Sequence, residues 1–274
     1  MRLSGQMHSN DSFFIKGKWW HKLQPLLEER DLRVVLDEED ADIIICYGGD
    51  GTLLETAHHG NGTLLFPIRD EQTAPLCPEH QLDKQLDDLL AGKLKLSQPE
   101  LLMGKAIINP VVEGLPKTEN KLYGMNDIFI HSANQATALR YSVYIGDKLY
   151  AKEVVSDAVG VATRHGATAY YRNITHSIFR VGIGLAFSNS TETVDHIVLD
   201  ERSTVKIQIL RGPAVMTADN ETAPNVINTG DVVTIAMSGK YVRTLGLDIF
   251  MCPECRKLRH TLRDSTRFLG GTSL

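Results

Sequence analysis

The sequence predicts an α/β N-terminal domain followed by an all-β, sandwich-like C-terminal domain. Three observations carry this. In the first third, helical spacing alternates with short β-branched runs, as in a sheet whose strands are separated by helices. After about residue 100 the texture changes to short strand-like segments with turn residues between them. Where the apolar run Ile43-Ile44-Ile45-Cys46-Tyr47 ends stands Gly48-Gly49-Asp50-Gly51-Thr52, three glycines around one carboxylate.

Taken in order, Lys18 to Glu29 carries Trp19, Trp20, Leu23, Leu26 and Leu27 at helical spacing. Leu32 to Leu36, Ala41 to Tyr47 and Leu64 to Ile68 read as strands buried on both faces. Leu53 to His59 reads as a helix, and Leu82, Leu86, Leu89 and Leu90 mark another that ends near Gly92. The β-rich part comprises Lys105 to Pro110, Asp127 to His131, Ala138 to Ile145, Lys148 to Ser156, Val181 to Phe187, Thr204 to Leu210 and Asp231 to Met237. Val205, Ile207 and Ile209 alternate with Lys206 and Gln208, which gives one strand face to a core and the other to water. Pro253 to Phe268 reads as a helix whose five basic residues form a solvated face. The expected domains are 1–104 and 105–250, with a terminal helix in 251–274.

A length of 274 residues allows two ordinary domains. A net charge of −5 gives no overall polyanion-binding surface, so no nucleic-acid partner is expected. No apolar run approaches the ~20 residues of a membrane span, and Met1 to Asn10 has no apolar secretory core, so a cytoplasmic location is the expectation. Four cysteines in a chain of this length do not make a disulfide scaffold.

The glycine-rich turn carries the first chemical reading. Glycines admit backbone N–H groups close to phosphate oxygens, and the start of a helix favours anions. A carboxylate among phosphates repels them unless it holds a metal ion or takes a proton from an attacking hydroxyl. Phosphoryl transfer follows, with Asp50 as the catalytic carboxylate and Gly48, Gly49, Gly51 and Thr52 at the phosphates. Neither a Gly-x-x-x-x-Gly-Lys-Ser/Thr loop nor a Gly-x-Gly-x-x-Gly turn after a strand is present, which excludes P-loop enzymes and ordinary Rossmann dehydrogenases. Asn126-Asp127 suits a ribose or a base edge, although an Asx turn opening a strand explains the dipeptide alone. Asp157 ends a strand. Beyond it, Gly166 permits a sharp turn, Ala167 and Ala169 leave room for a flat ligand, Tyr170 can stack, and Arg164 and His165 are candidate phosphate contacts.

In this order and spacing, these motifs resemble those of the NAD kinase family. That family pairs Gly-Gly-Asp-Gly-Thr-Leu-Leu, intact here at Gly48 to Leu54, with an Asn-Glu dipeptide and a segment like Asp-Gly-x-x-x-Ser-Thr-Pro-Thr-Gly-Ser-Thr-Ala-Tyr, which corresponds to Asp157 through Tyr170. The likeness runs from residue 41 to about 245. It implies ATP-dependent phosphorylation of the adenosine 2′-hydroxyl of NAD, giving NADP, in a cleft between two domains. Asp50 would take the hydroxyl proton, hold Mg²⁺, or both. Asn126, Asp127, Asp157, Thr168, Ala169 and Tyr170 would bind NAD, and a homodimer or homotetramer is the expected assembly. Several positions depart from the pattern. Asp127 stands for Glu, Ala158 for Gly, Arg164-His165 for Pro-Thr, and Asp219-Asn220-Glu221 for Asp-Gly-Gln. Ile68 to Leu76 lacks the family's Gly-x-Asn-x-Gly-x-Leu-Gly-Phe, and the N-terminus is read as lacking the usual opening strand.

Cys77-Pro78-Glu79-His80 and Cys252-Pro253-Glu254-Cys255 are near copies, and together they supply a Cys₃His set of the kind that holds structural Zn²⁺. The resemblance implies that the chain end returns to the first domain, where such an ion would staple it. Unligated cysteines at the same positions are the alternative. Two other functions compete with the NAD kinase reading: a lipid or other nucleotide kinase of the same superfamily, and a non-catalytic NAD(P)-binding regulator.

Overall fold

The computed structural model describes residues 10–59, 62–70, 80–110, 116–134, 136–221 and 225–252. The chain forms two compact units, one of residues 1–98 with 242–274 and the other of residues 99–241. The expected boundaries at 104 and 250 fall elsewhere. Glu100–Ile108 is one continuous strand, so the division precedes it, and residues from 242 onward complete the first unit's sheet.

The first unit contains β1 (Ser12–Lys16), α1 (Trp20–Glu28), β2 (Arg33–Val34), β3 (Ile43–Tyr47), α2 (Asp50–His59), β4 (Leu64–Ile68), α3 (Leu82–Leu90) and β5 (Leu96–Ser97). The chain then builds the second unit from β6 (Glu100–Ile108), β7 (Thr118–Gly124), β8 (Asp127–Ser132), β9 (Leu139–Ile145), β10 (Lys148–Ser156), β11 (Ala158–Ala162), α4 (Tyr170–Thr175), β12 (Ile183–Ser188), β13 (His196–Leu199), β14 (Val205–Arg211), β15 (Ala214–Ala218), β16 (Asn225–Ile227) and β17 (Val232–Tyr241). It returns to the first unit with β18 (Arg243–Leu245) and α5 (Leu247–Phe250).

An opening strand is therefore present, contrary to the sequence reading. Ser12–Lys16 is short, but it pairs in parallel with both β2 and β3. Conversely, the expected strand Leu32 to Leu36 contracts to Arg33–Val34, and Leu36 is exposed. Sheet order in the first unit is β2-β1-β3-β4-β18-β5. From β1 the chain moves outward to β2, and from β3 it moves the other way to β4. The carboxyl ends of β1 and β3 thus flank a topological switch point, where open parallel sheets leave a crevice for ligands. All five residues of β3 are buried, as its uniform apolar run requires. Leu23 and Leu27 of α1 and Leu86 and Leu89 of α3 fill the same core. The end of α3 follows from its sequence: Gly92 takes φ +64°, its N–H reaches the Leu89 carbonyl, and the Lys93 N–H reaches that of Asp88.

In the second unit two antiparallel sheets, ordered β10-β9-β14-β17-β6-β7 and β13-β12-β11-β8-β15-β16, share one core. Side chains alternate across β8. Ile128 and Ile130 enter the core between the sheets, while Phe129 lies on the outer face with Ala158, Ala162, Ala167 and Tyr171. That outer face is where the 163–175 segment settles. In β14 the buried positions are Val205, Ile207 and Ile209, as the alternation predicts. The expected helix Pro253 to Phe268 lies outside the described residues.

Gly17 joins β1 to the turn before α1 at φ +146°, and a Cβ there would lie 1.9 Å from the Tyr47 carbonyl oxygen. We expect Gly17→Ala to cost about 1–3 kcal/mol through backbone strain and displacement of the end of β3. Urea denaturation of the full chain measures this, and an unchanged midpoint would show that the close approach is dispensable.

Candidate active site

In the first unit the glycine-rich turn leaves β3 and enters α2 directly. The helix begins at Asp50, three residues earlier than the periodicity suggests. Gly48 is buried, its N–H donates to the Ile68 carbonyl at 2.8 Å, and a Cβ on it would lie 2.5 Å from Thr52 Oγ1. Thr52 and Leu53 direct their N–H groups to the Gly49 carbonyl, which closes the first turn. Asp50 thus stands at the positive end of α2, with its side chain 53% exposed.

The sequence reading missed the residue that touches it. Arg69 follows β4, and its Nη2 donates to Asp50 Oδ1 at 2.8 Å. Nε donates to the Phe250 carbonyl at 2.9 Å, and the guanidinium carbon lies 4.1 Å from the centre of the Phe250 ring. The Arg69 side chain is only 4% exposed, and its Nη1 is buried without a hydrogen-bond partner among the described residues. An open buried donor costs about 1–3 kcal/mol, whereas an ion pair to a half-exposed carboxylate returns about 0–1 kcal/mol. Stability alone does not account for this arrangement. The available sequence signal is a lone arginine at the end of a parallel strand, within the segment where the family pattern is lost.

The second unit brings Asn126-Asp127 and Thr163 to Tyr170 together. Thr163 Oγ1 donates to the Met125 carbonyl at 2.6 Å, and the Thr163 N–H donates to that of Asn126 at 2.8 Å. The same hydroxyl accepts the N–H groups of His165 and Gly166. Gly166 presses so close that a Cβ would lie 2.0 Å from the Asn126 carbonyl oxygen. Asp219 fastens the other side. Its carboxylate accepts the N–H groups of Met125, Asn126 and Asp127 at 2.7, 2.7 and 3.0 Å.

Asp127 itself is buried. Burial first, and the nearby Asp219 charge second, raise its pKa to about 8, so at neutral pH Asp127 is a carboxylic acid. Phe129, His131 and Tyr170 form an aromatic wall on the outer face of β8, with Phe129 and Tyr170 edge to face at 4.8 Å. Thr168 and Ala169 are partly exposed in the turn leading to Tyr170. Arg164 is exposed, while burial first and the Arg164 charge second lower the His165 pKa. Asp157 is not in this cluster. It precedes β11, whose far end pairs Ala162 with Asp127, about 16 Å along the strand. There its Oδ2 accepts from Asn189 Nδ2 at 2.8 Å.

Of the expected zinc ligands, Cys77 and Cys255 lie outside the described residues. His80 is buried and Cys252 half-buried, both in the first unit. Among the described residues there is no group of three or more His, Cys, Asp or Glu placed to hold a metal, and no helix is long and apolar enough to cross a membrane.

No family model matches the chain. It is 30% identical over 134 residues to the NAD kinase of Brucella suis, covering 48% of this chain and 49% of that one. It is 23% identical over 255 residues to the NAD kinase of Saccharophagus degradans, covering 81% and 80%. The chain spans about half the length of the Brucella and clostridial relatives it matches. Among solved structures, yeast NADH kinase complexed with NADH superposes with a TM-score of 0.71 at 16% identity, over 89% of this chain and 86% of that one. An NAD kinase from Archaeoglobus fulgidus in complex with ATP gives 0.68 at 16% identity, over 92% and 98%. In sequence over about half its length at 30% identity, and in fold over most of it, the chain is similar to NAD kinases.

Proposed function

We propose that the chain is an NAD kinase, transferring the terminal phosphoryl group of ATP to the adenosine 2′-hydroxyl of NAD. The observation that carries the reading is the joint between Asn126-Asp127 and Thr163 to Tyr170. Polar groups that read amides and hydroxyls are locked there beside an aromatic wall, a station for a nucleotide rather than an acyl chain. A protonated Asp127 both donates and accepts, which suits a ribose hydroxyl or a base edge. Asp157, which precedes the neighbouring strand β11 at the end away from the Ala162–Asp127 pair, is assigned in this reading to another part of an extended dinucleotide. The resemblances support the substrates: the yeast enzyme is seen with NADH and the archaeal one with ATP.

In this reading the N–H groups around Gly48, Gly49, Gly51 and Thr52 hold phosphates, and Asp50 accepts the proton of the 2′-hydroxyl as its oxygen attacks phosphorus. One carboxylate oxygen with phosphate oxygens is an ordinary donor set for Mg²⁺, so Asp50 fits that ion as well. Bound there, Mg²⁺ would neutralise charge on the phosphates. The Cys77, His80, Cys252 and Cys255 set is proposed to hold a structural Zn²⁺ that pins the chain end to the first unit.

Incubation with ATP, Mg²⁺ and NAD, coupled to an NADP-specific dehydrogenase, tests the reaction. NAD binding without NADP formation would favour a non-catalytic binder. Asp50→Asn is expected to lower kcat about 10²–10⁴-fold with NAD binding largely kept, and normal turnover would remove Asp50 from the mechanism.

Asp127 predicts a pH dependence of stability. The unfolded carboxyl loses its proton near its ordinary pKa of 3.8 and the folded one near 8. Between these values the folded state holds the extra proton, so this group's contribution falls as pH rises and levels off above about 8. Asp127→Asn should remove that slope and be the more stable protein at pH 8, by about 1–3 kcal/mol in urea denaturation. An identical slope in both proteins would refute the assignment.

Metal analysis of purified protein should find zinc in about one-to-one ratio with the chain. Its absence, with every thiol titratable, would sink the staple.

A further inference from the structure

Asp50 is the first residue of α2, where a carboxylate is free to turn toward the helix N–H groups or toward water. Arg69 removes that freedom. Its planar guanidinium is fixed on two sides by Phe250, through the carbonyl that accepts from Nε and through the ring beneath it. It presents Nη2 to Oδ1 of Asp50 and leaves Oδ2 without a hydrogen bond to the described residues. We propose that Arg69 is a positioning residue for phosphoryl transfer, holding Oδ1 of Asp50 so that Oδ2 alone is offered to the reacting hydroxyl or to the metal. The inference rests on the kinase reading of Asp50.

Three features support it beyond the ion pair. The arginine is buried and the carboxylate half-exposed, so the partner held on more sides orients the one held on fewer. The buried Nη1 has no hydrogen-bond partner among the described residues, as expected if the side chain is placed for geometry rather than for full satisfaction of its donors. Lysine cannot replace the arrangement, because one ammonium lacks the planar fork that reaches the Asp50 carboxylate and the Phe250 carbonyl together.

The test compares wild type, Arg69→Lys, Arg69→Ala and Asp50→Asn by kcat and NAD KM at saturating ATP and Mg²⁺, with melting temperature as the check on folding. Loss of orientation predicts that Arg69→Ala lowers kcat about 10–100-fold. NAD KM should stay within about threefold, because binding is not what Arg69 supplies. Arg69→Lys should recover part of the loss. Guanidinium ion added to Arg69→Ala should raise kcat saturably and leave Asp50→Asn unchanged, which a packing role alone would not produce. A folded Arg69→Ala with wild-type kcat, or one whose whole defect lies in NAD KM, overturns the proposal. If Arg69→Ala does not fold, Arg69→Lys decides, and wild-type kcat in that variant overturns it as well. Should wild type form NADP and Asp50→Asn fail while both Arg69 variants match wild type, only this inference falls. Should wild type form no NADP, or Asp50→Asn turn over normally, the kinase reading of Asp50 falls and takes the inference with it.

Discussion

Among the glycines whose missing Cβ admits a backbone carbonyl, two stand beside the motifs described above. The Tyr47 oxygen lies 1.9 Å from the Cβ position of Gly17, and the Asn126 oxygen 2.0 Å from that of Gly166. Each contact draws a loop against the end of a strand, and each strand end bears a candidate motif. At the first, the turn after β1 closes on the residue preceding Gly48. At the second, the 163–170 loop closes on Asn126-Asp127. Hydrogen bonds then consolidate what the missing Cβ allows: Thr163 on the loop side and Asp219 on the strand side. The polar geometry at each place is downstream of this steric permission.

Electrostatics takes opposite forms in the two units. Asp50 is half-exposed at the start of a helix and paired with a buried arginine. Asp127 is buried next to Asp219, whose carboxylate accepts from three N–H groups, and it holds its proton up to about pH 8. One chain thereby presents a carboxylate tied to a cation and a carboxylic acid able to donate.

Patterns carried by consecutive residues were legible before the structure. The uniform run Ile43 to Tyr47, the alternation of Val205 to Ile209 and the termination at Gly92 each encode their local geometry. The grouping of Asn126-Asp127 with Thr163 to Tyr170 followed from the order of motifs. What escaped was tertiary and single-residue. Arg69 has no local signature, because its partners are 19 and 181 residues away in sequence. Asp219 agrees with the Asp that opens the Asp-Gly-Gln pattern, which signals nothing of its bonds to Met125 through Asp127, more than 90 residues away. Ser12–Lys16 was missed because five residues between polar neighbours give little periodicity, and its parallel partners on both sides supply the pairing that its sequence does not announce.

The return of β18 to a place between β4 and β5 has a consequence for biosynthesis. All strands of the second unit emerge from the ribosome before Arg243, so that sandwich can complete itself during translation. The first unit cannot. Its early strands wait, with the β4 edge unpaired, until Arg243–Leu245 arrives, and Arg69 waits longer still for Phe250. The unit made first is thus finished last, and its exposed edge through synthesis is the stage at which the chain most needs protection from aggregation.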